Sequence, residues 1–397
     1  MNGPADPALK VVPAPAAGEE LRTPPDPEEV GRIAAGVATA VAPADGLTVV
    51  QRAVLNALIE SMTGADVDVS EVAPLGPEEF GEAMRMRSLV FRTRMVQLML
   101  LGEMLLVPLP SEVTARVESY AHTLGVADDM LRVAHRVASG SLGLALIDFQ
   151  RSGYFAQMLE DGEHLHTAAA LDDAWQEAVD DPALAARWAT LEHCPDGSLG
   201  QGVWRFYRAR GFTFPGRPGS APPRLAQHDW VHVLADYGST VESEIEVFGL
   251  ISRANDDPRG FSLLAMVLGL FETGYLYDAA HGFFGYDRGH LSRDADRMAA
   301  RLADAMYRGA MVGWHLDDLG REAETDLMAT DWFAHADRPL DEVRADLGLL
   351  PRSARAVAAG STTPWERGGI SPFQFEQGRA AAAADGRVYE SFGAAPA

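Results

Sequence analysis

Apolar positions recur at helical spacing through most of this chain of 397 residues, and the alternation typical of strands is scarce. In residues 46–150 the spacing first appears in a run made up of Val49, Val50, Ala53, Leu55 and Leu58. A longer apolar helix is predicted over Met84–Val107, where two prolines follow and prevent its continuation. The next helix is predicted over Glu112–Leu124, with Ser111 as its N-cap and Gly125 as its end. We therefore predict an all-α fold that includes a small helical domain over residues 46–150.

The second half of the chain, residues 191–352, continues the helical pattern. A turn over residues 194–200 leads into a predicted helix Gln201–Arg210, and another helix is expected to begin near Leu225. Three more helices are predicted, at Phe261–Tyr277, Arg293–Val312 and Leu340–Leu347. This range is therefore expected to form a second and larger helical domain.

Three segments lack a lasting apolar period. Residues 1–45 are rich in proline and alanine, which predicts a disordered tail that contains at most a short helix near Glu28–Val41. Residues 151–190 contain an acidic run and a proline, which are typical of a solvated connector. Residues 353–397 are rich in alanine, glycine and proline, and we predict a mobile tail there.

Acidic side chains dominate the charge, with 57 Asp and Glu against 33 Lys and Arg and a net charge of −24. Phosphate backbones repel such a chain, so we expect no nucleic-acid partner and at most peripheral contact with a membrane. The longest apolar stretch, Leu89–Val107, contains charged side chains such as Arg94 and Glu103. It is therefore expected to be a buried helix rather than a membrane span.

The number of cysteines and the composition of the N-terminal segment indicate the cellular compartment. The single cysteine, Cys194, excludes a disulfide within this chain and the common cysteine-rich zinc sites. Residues 1–45 have no apolar central region, and their acidic residues outnumber the basic ones, unlike a signal or transit peptide. We therefore expect a cytoplasmic protein.

The segment His228-Asp-Trp-Val-His232 carries the clearest chemistry of the chain. Imidazoles four residues apart lie one above the other on a helix, so both rings can bind one ion. Asp229 can lean toward the same face, and a turn at Tyr237–Ser239 allows a following helix to bring Glu244 back. Two nitrogens and one or two carboxylates suit Zn²⁺ best, and Fe²⁺ or Mn²⁺ as alternatives.

Other interpretations of these residues remain open. The two histidines are ordinary core or surface residues in one interpretation. A thermolysin-like site would have glutamate as the second residue, where this chain has Asp229. An HD-type phosphohydrolase needs further ligands on other helices, and the spacing of His281, His290 and His315 indicates nothing specific.

Three ordered motifs over about residues 190–350 resemble the coenzyme Q (ubiquinone) biosynthesis Coq-four family. The first is the His-Asp-x-x-His string, followed after eleven residues by Glu244. The others are Pro195-Asp-Gly-Ser-Leu-Gly200 before an aromatic-bearing helix, and the C-terminal series Tyr307-Arg-Gly309, Asp331-Trp332 and Arg338-Pro-Leu-x-Glu-Val-Arg344-x-x-Leu-Gly348. Departures are Ser243 and Asp236, where members commonly carry glycine, and the insertion His281–Asp296. These departures leave the ligands intact and bear on the substrate and the partners.

The resemblance implies an all-helical, zinc-type metal-binding domain over residues 191–352 with a groove for an isoprenoid or similar lipid. It implies that His228, Asp229, His232 and Glu244 are the metal ligands. The apolar helix Phe261–Tyr277 is a candidate groove wall, or simply core. Family members are regarded as scaffolds of a quinone-building complex and as proteins that replace the C1 carboxyl of a prenylated hydroxybenzoate with hydroxyl. Biosynthetic partner proteins and a homodimer are therefore expected.

Residues 46–150 resemble the TerB-like helical domains in helix pattern and order, which implies a docking module.

Three functions follow from these features. The first is an enzyme, a metal-dependent decarboxylase or hydroxylase that acts on a quinone precursor or related aromatic acid in ubiquinone-like or natural-product biosynthesis. Asp229 or Glu244 would then leave the metal and act as a base. The second is a non-catalytic lipid-binding scaffold with a structural zinc. The third is a metal-dependent hydrolase.

Overall fold

The computed structural model describes residues 25–127, 131–132, 134, 180–218, 220–221, 223, 225–255, 264, 267–273 and 289–397. Over these residues the regular structure is helical and no strand forms, so the predicted all-α class is confirmed. The α-helices are α1 (Pro27–Val41), α2 (Val49–Thr63), α3 (Pro77–Ala83), α4 (Leu89–Met104), α5 (Ser111–Leu124), α6 (Pro182–Ala189), α7 (Leu199–Arg210), α8 (Gln227–Ala235), α9 (Val241–Ala254), α10 (Ala295–Asp318), α11 (Leu340–Asp346), α12 (Ala354–Ala358) and α13 (Pro372–Ala384). Short 3-10 turns lie at Thr190–His193, Ser292–Asp294, Glu322–Thr325 and Trp332–His335, and a π-helical turn at Gly269–Thr273.

Helices α1 to α5 form an N-terminal bundle. Its centre includes Gln51 of α2, whose amide donates to the carbonyls of Val41 and Gly102, each at 2.9 Å, and so joins α1, α2 and α4. Gly36 of α1 lies against the ring of Phe80, where a Cβ atom would approach to 2.2 Å. Both contacts require a close helix approach, and this approach buries the apolar stripe of each helix.

Of two helices predicted in this bundle, one is confirmed and the other is wrong in its first part. The short helix expected near Glu28–Val41 is confirmed as α1, whose first turn is capped by Asp26. Its apolar side is buried in the bundle, so this part of the predicted disordered tail is wrong. The single helix predicted over Met84–Val107 is wrong in its first part, because the chain turns before α4 begins. The hydroxyl of Ser88 accepts a hydrogen bond from the Phe91 N–H, which sets the start of α4.

The ends of other helices follow the predicted turn chemistry. Gly125 adopts φ 66° and ends α5 as expected, although Pro110 rather than Ser111 occupies the N-cap. The predicted helix Arg293–Val312 is confirmed as α10, which extends to Asp318.

Helix α10 is the long helix that the two halves of the described structure share. On one side it packs along α9 so closely that a Cβ atom on Gly309 would lie 2.2 Å from the Leu250 carbonyl oxygen. A buried ion pair at 2.6 Å between Arg301 and Glu246 joins the same two helices. On its other side α10 packs against α2 of the N-terminal bundle, where the Ser61 hydroxyl contacts the sulfur of Met306. The apolar core is therefore continuous from the bundle into the second half.

The C-terminal residues 353–397, predicted to be a mobile tail, are ordered in this structure. Helix α13 packs on α7 so closely that a Cβ on Gly378 would lie 2.2 Å from the Ala209 carbonyl oxygen. The Tyr389 hydroxyl donates to the same carbonyl at 2.8 Å. The prediction was wrong because small residues give no apolar period, although they permit close backbone packing.

Several predicted segments lie wholly or partly outside the described residues. Of the connector 151–190, the described part begins at residue 180 and contains α6. Of the helix predicted over Phe261–Tyr277, the structure describes Leu264 and residues 267–273, and Leu264 and Leu268 are buried. No helix within the described residues combines the length and the apolarity needed to cross a bilayer.

Candidate metal centre

Helix α8 carries three of the four predicted ligands, and every one of its residues is buried. Because His228, Asp229 and His232 lie on adjacent turns, the helix brings their side chains to one side. The helix ends at Asp236, which takes the left-handed conformation with φ 62°. Arg344 and Arg352 lie 3.7 Å and 3.6 Å from the Asp236 carboxylate. These contacts stabilise Asp236 in the left-handed conformation, which costs free energy for a residue that has a Cβ atom.

Helix α9 brings the fourth ligand back toward α8. The Thr240 hydroxyl accepts from the Ser243 N–H and caps the helix. Glu244 therefore lies in the first turn, where the helix dipole favours a negative charge. The predicted turn at Tyr237–Ser239 makes this return possible.

The ligand atoms converge on a small volume. The Nε2 atoms of His228 and His232 each lie 3.3 Å from one oxygen of Glu244. Asp229 Oδ1 lies 3.6 Å from His228 Nε2. One ligand atom from each of His228, Asp229 and His232 lies within 4.8 Å of the others. The four predicted side chains thus lie close together, and one Glu244 oxygen contacts both imidazole rings.

The outer ring nitrogens are occupied by backbone carbonyls. His228 Nδ1 hydrogen-bonds the Leu225 carbonyl, and His232 Nδ1 hydrogen-bonds the Gly238 carbonyl at 2.6 Å. A carbonyl only accepts, so each Nδ1 carries its proton, and each Nε2 presents a lone pair when the imidazole is neutral. This is the arrangement that orients histidine ligands in protein metal sites.

Aromatic side chains enclose the cluster. The Tyr207 hydroxyl donates to Asp229 Oδ2 at 2.5 Å, which leaves Oδ1 on the side of His228. Phe206 stacks on His232 with ring centroids 5.2 Å apart, and Phe248 lies 5.3 Å from His228. Apolar rings around the cluster lower the local dielectric constant, which strengthens the electrostatic interactions inside.

The electrostatics of the metal-free cluster favour a protonated His228 beside an ionised Glu244. Burial disfavours a charged His228, but the Asp229 charge and the hydrogen bond to Glu244 raise the pKa of His228 to about 9. Burial opposes ionisation of Glu244, yet the charge of His232 and the hydrogen bonds from both rings hold its pKa well below the usual range. Burial raises the pKa of Asp229. A divalent cation would replace this proton as the counter-charge to the two carboxylates.

The donor set fits a divalent metal ion. Two neutral imidazole nitrogens and two carboxylates, buried together and held by outer hydrogen bonds, meet the requirements of ligand type and orientation. The other histidines considered from the sequence lie elsewhere. His290 contacts Glu242 at 2.7 Å, His315 lies on α10 beside Gly348, and His281 lies outside the described residues.

Two residues that orient the predicted ligands have no signal in the sequence. Tyr207 belongs to the aromatic-bearing helix that the sequence identified, but its spacing from Asp229 gave no signal of the contact. Arg210, which is fully buried beside Phe206, gave no signal either.

Comparison of the chain with protein-family models, curated proteins and solved structures finds no match.

Proposed function

We propose that this chain is a divalent-metal protein of the Coq-four type that acts on a quinone precursor or a related aromatic acid. One observation carries the proposal: the Nε2 atoms of His228 and His232 converge on Glu244 beside Asp229 while both Nδ1 atoms bind carbonyls. The motifs over about residues 190–350 support the family. The TerB-like pattern of residues 46–150 supports a docking module for biosynthetic partner proteins.

The four side chains would hold the ion, most suitably Zn²⁺, with Fe²⁺ or Mn²⁺ as alternatives. When bound, the ion supplies Lewis acidity, which lowers the pKa of a phenol and fixes a carboxylate. His232 is completely buried, whereas Glu244 retains 9% of its exposure. His228 and Asp229 are exposed to a similar extent, at 7% and 6%, so a substrate would reach the cluster past these three side chains and not past His232.

The proposed reaction replaces a ring carboxyl by hydroxyl. The bond between the ring and the carboxyl carbon breaks and the carbon leaves as CO₂, while a bond forms between the ring and one atom of dioxygen. The second oxygen atom leaves as water, with two electrons and two protons from an external reductant. Asp229 or Glu244 would leave the metal when substrate binds and accept its phenolic proton, since both carboxylates lie beside the histidine nitrogens.

The aromatic surroundings suit a flat apolar ring. Phe206 and Phe248 already stack on the two ligand rings, and Tyr207 adds a third ring against Asp229. The polar centre is therefore surrounded by apolar rings. This combination of apolar walls and a few fixed polar groups is typical of small-molecule sites.

The test is turnover by the full chain loaded with Fe²⁺, Mn²⁺ or Zn²⁺. Prenylated and simple hydroxybenzoates would be supplied with a reductant, and oxygen consumption and CO₂ release measured. We expect turnover that is lost in Glu244→Gln and retained in Glu242→Gln. The control residue lies on the same turn of α9 but contacts His290 instead of the cluster.

A scaffold with a structural zinc is the second candidate. Two observations favour it: His228, Asp229 and His232 lie close together, and both rings lie 3.3 Å from Glu244. If all four side chains bind, a closed four-ligand zinc site leaves no position for substrate. A tightly bound zinc, affinity for an isoprenoid and no turnover with any of the three metals would establish the scaffold and exclude the enzyme.

A further inference from the structure

The turn between α8 and α9 contains the peptide group that orients His232. The carbonyl of Gly238 accepts from His232 Nδ1 at 2.6 Å. The N–H of the same peptide group belongs to Ser239, and it donates to the Gly369 carbonyl at 3.0 Å. Because a peptide group is planar, the hydrogen bond on its N–H side fixes the direction of its C=O. A C-terminal residue therefore determines where the acceptor of His232 points.

Two more backbone contacts fix the same turn. The Gly238 N–H donates to the Thr362 carbonyl at 2.9 Å. A Cβ atom on Gly238 would lie 2.8 Å from Gly369 Cα, so the two backbones touch and only glycine fits here. The turn thus rests directly on residues 362–369, without an intervening side chain.

Arg210 of α7 locks the two segments together. Its buried guanidinium donates to the Gly369 carbonyl at 2.8 Å and to the Pro364 carbonyl at 3.3 Å. Its Nε atom donates to the Ser239 hydroxyl at 2.5 Å. That hydroxyl in turn donates to the Gln374 side chain at 2.7 Å. One arginine therefore holds both sides of the contact that determines the peptide direction.

Arg210 also reaches His232 by a second route. Its guanidinium lies 3.7 Å from the centre of the Phe206 ring, and Phe206 stacks on the imidazole of His232. The ring is thus held at its face by Phe206 and at its Nδ1 edge by Gly238. Displacement of Arg210 would loosen both supports at once.

We propose that Arg210 and residues 362–374, here called the C-terminal clamp, are a positioning device for His232 that sets the affinity of the metal centre. The clamp keeps the Nδ1 proton hydrogen-bonded to the Gly238 carbonyl and directs Nε2 toward Glu244, where the Nε2 lone pair would bind the ion. This inference rests on the proposed metal centre, and it assigns a role to a segment that touches no ligand side chain of the cluster directly.

The test is Zn²⁺ affinity of the full chain, measured by competition with a chromophoric chelator. Gly238→Ala pushes the turn away from Gly369, and Arg210→Lys removes the forked contact. Loss of a group that orients a metal-bound histidine typically weakens affinity by about 10- to 100-fold, and we expect this range for both variants. The control is Gly313→Ala on α10, where the added methyl would meet the Ala254 carbonyl oxygen at 2.5 Å.

The control introduces a comparable backbone clash away from the clamp, and we expect it to bind Zn²⁺ as tightly as the wild type. Thermal unfolding in chelator shows which variants are folded, and the ¹⁵N shifts of His232 report which ring nitrogen carries the proton. Folded Gly238→Ala and Arg210→Lys variants that bind Zn²⁺ like the wild type would overturn the clamp and leave the metal centre standing. A wild type that binds no Zn²⁺ would overturn the centre itself, and the clamp with it.

Discussion

Replacement of Tyr207 by phenylalanine removes one hydroxyl and leaves the packing in place. The hydroxyl donates to Asp229 Oδ2 at 2.5 Å, and both side chains are buried. The ring packs against Trp188 and Phe214 at centroid distances of 5.1 Å and 5.2 Å, and phenylalanine keeps these contacts. Burial, together with the Asp229 charge, raises the pKa of Tyr207 well above its usual value, so the hydroxyl remains a donor at neutral pH.

The expected cost follows from the charge of the acceptor. A hydrogen bond to a charged group contributes about 1.5–3 kcal/mol, and the Asp229 oxygen left behind is buried without its donor. The unfolding free energy of the metal-free Tyr207→Phe protein should fall by that amount. Because Asp229 also loses the contact that directs Oδ1 toward His228, Zn²⁺ affinity should fall by about 10- to 100-fold.

Urea denaturation in chelator measures the first effect, and chelator competition the second. Tyr389→Phe is the matched control, since its hydroxyl binds the backbone carbonyl of Ala209 rather than a carboxylate. We expect a loss of about 0.5–1.5 kcal/mol in the control and unchanged Zn²⁺ affinity. Equal Zn²⁺ affinity in Tyr207→Phe and the wild type would refute the argument that this hydroxyl orients a ligand.

Two further predictions concern buried ionisable groups. The raised pKa of His228 stabilises the metal-free protein fully below pH about 6.5, and this contribution is lost as the pH rises toward 9. Urea denaturation in chelator should show this loss of unfolding free energy, and the pH dependence should be absent in His228→Gln. Glu103 of α4 is fully buried, and its carboxylate oxygens have no hydrogen-bond partner among the described residues. Burial raises the pKa of Glu103, so this side chain destabilises the protein most at neutral pH. Glu103→Leu should therefore raise the unfolding free energy by about 1–3 kcal/mol at neutral pH and by less in acid. A destabilised variant would contradict this reasoning.

The cluster was predictable from the sequence because its geometry is local. Any two residues four positions apart share one face of an α-helix, as residues 228 and 232 do. A short turn after α8 then returns Glu244 to that face. The same local rules placed the ends of α5 and α7, where Gly125 and Gly211 take the left-handed conformation. The family, the substrate and the partners stay predictions.

The C-terminal clamp was not predictable, because its contacts are between backbones distant in sequence. The approach of Gly238 to Gly369 depends on the absence of side chains, so no apolar period marks it. The role of Arg210 was not predictable either, because a sequence does not distinguish a surface arginine from one that is buried against carbonyls. The break before α4 was missed for a related reason: apolar residues continue on both sides of Ser88, whose cap is a single hydroxyl.

The central claim is that the four side chains bind one divalent metal ion. The most direct test is elemental analysis of the full chain purified without added metal, with His232→Ala as the disrupted site and His315→Ala as the control on α10. We predict about one equivalent of zinc, iron or manganese in the wild type and the control, and none in His232→Ala. A wild type without metal, or a His232→Ala variant that retains it, would contradict the account.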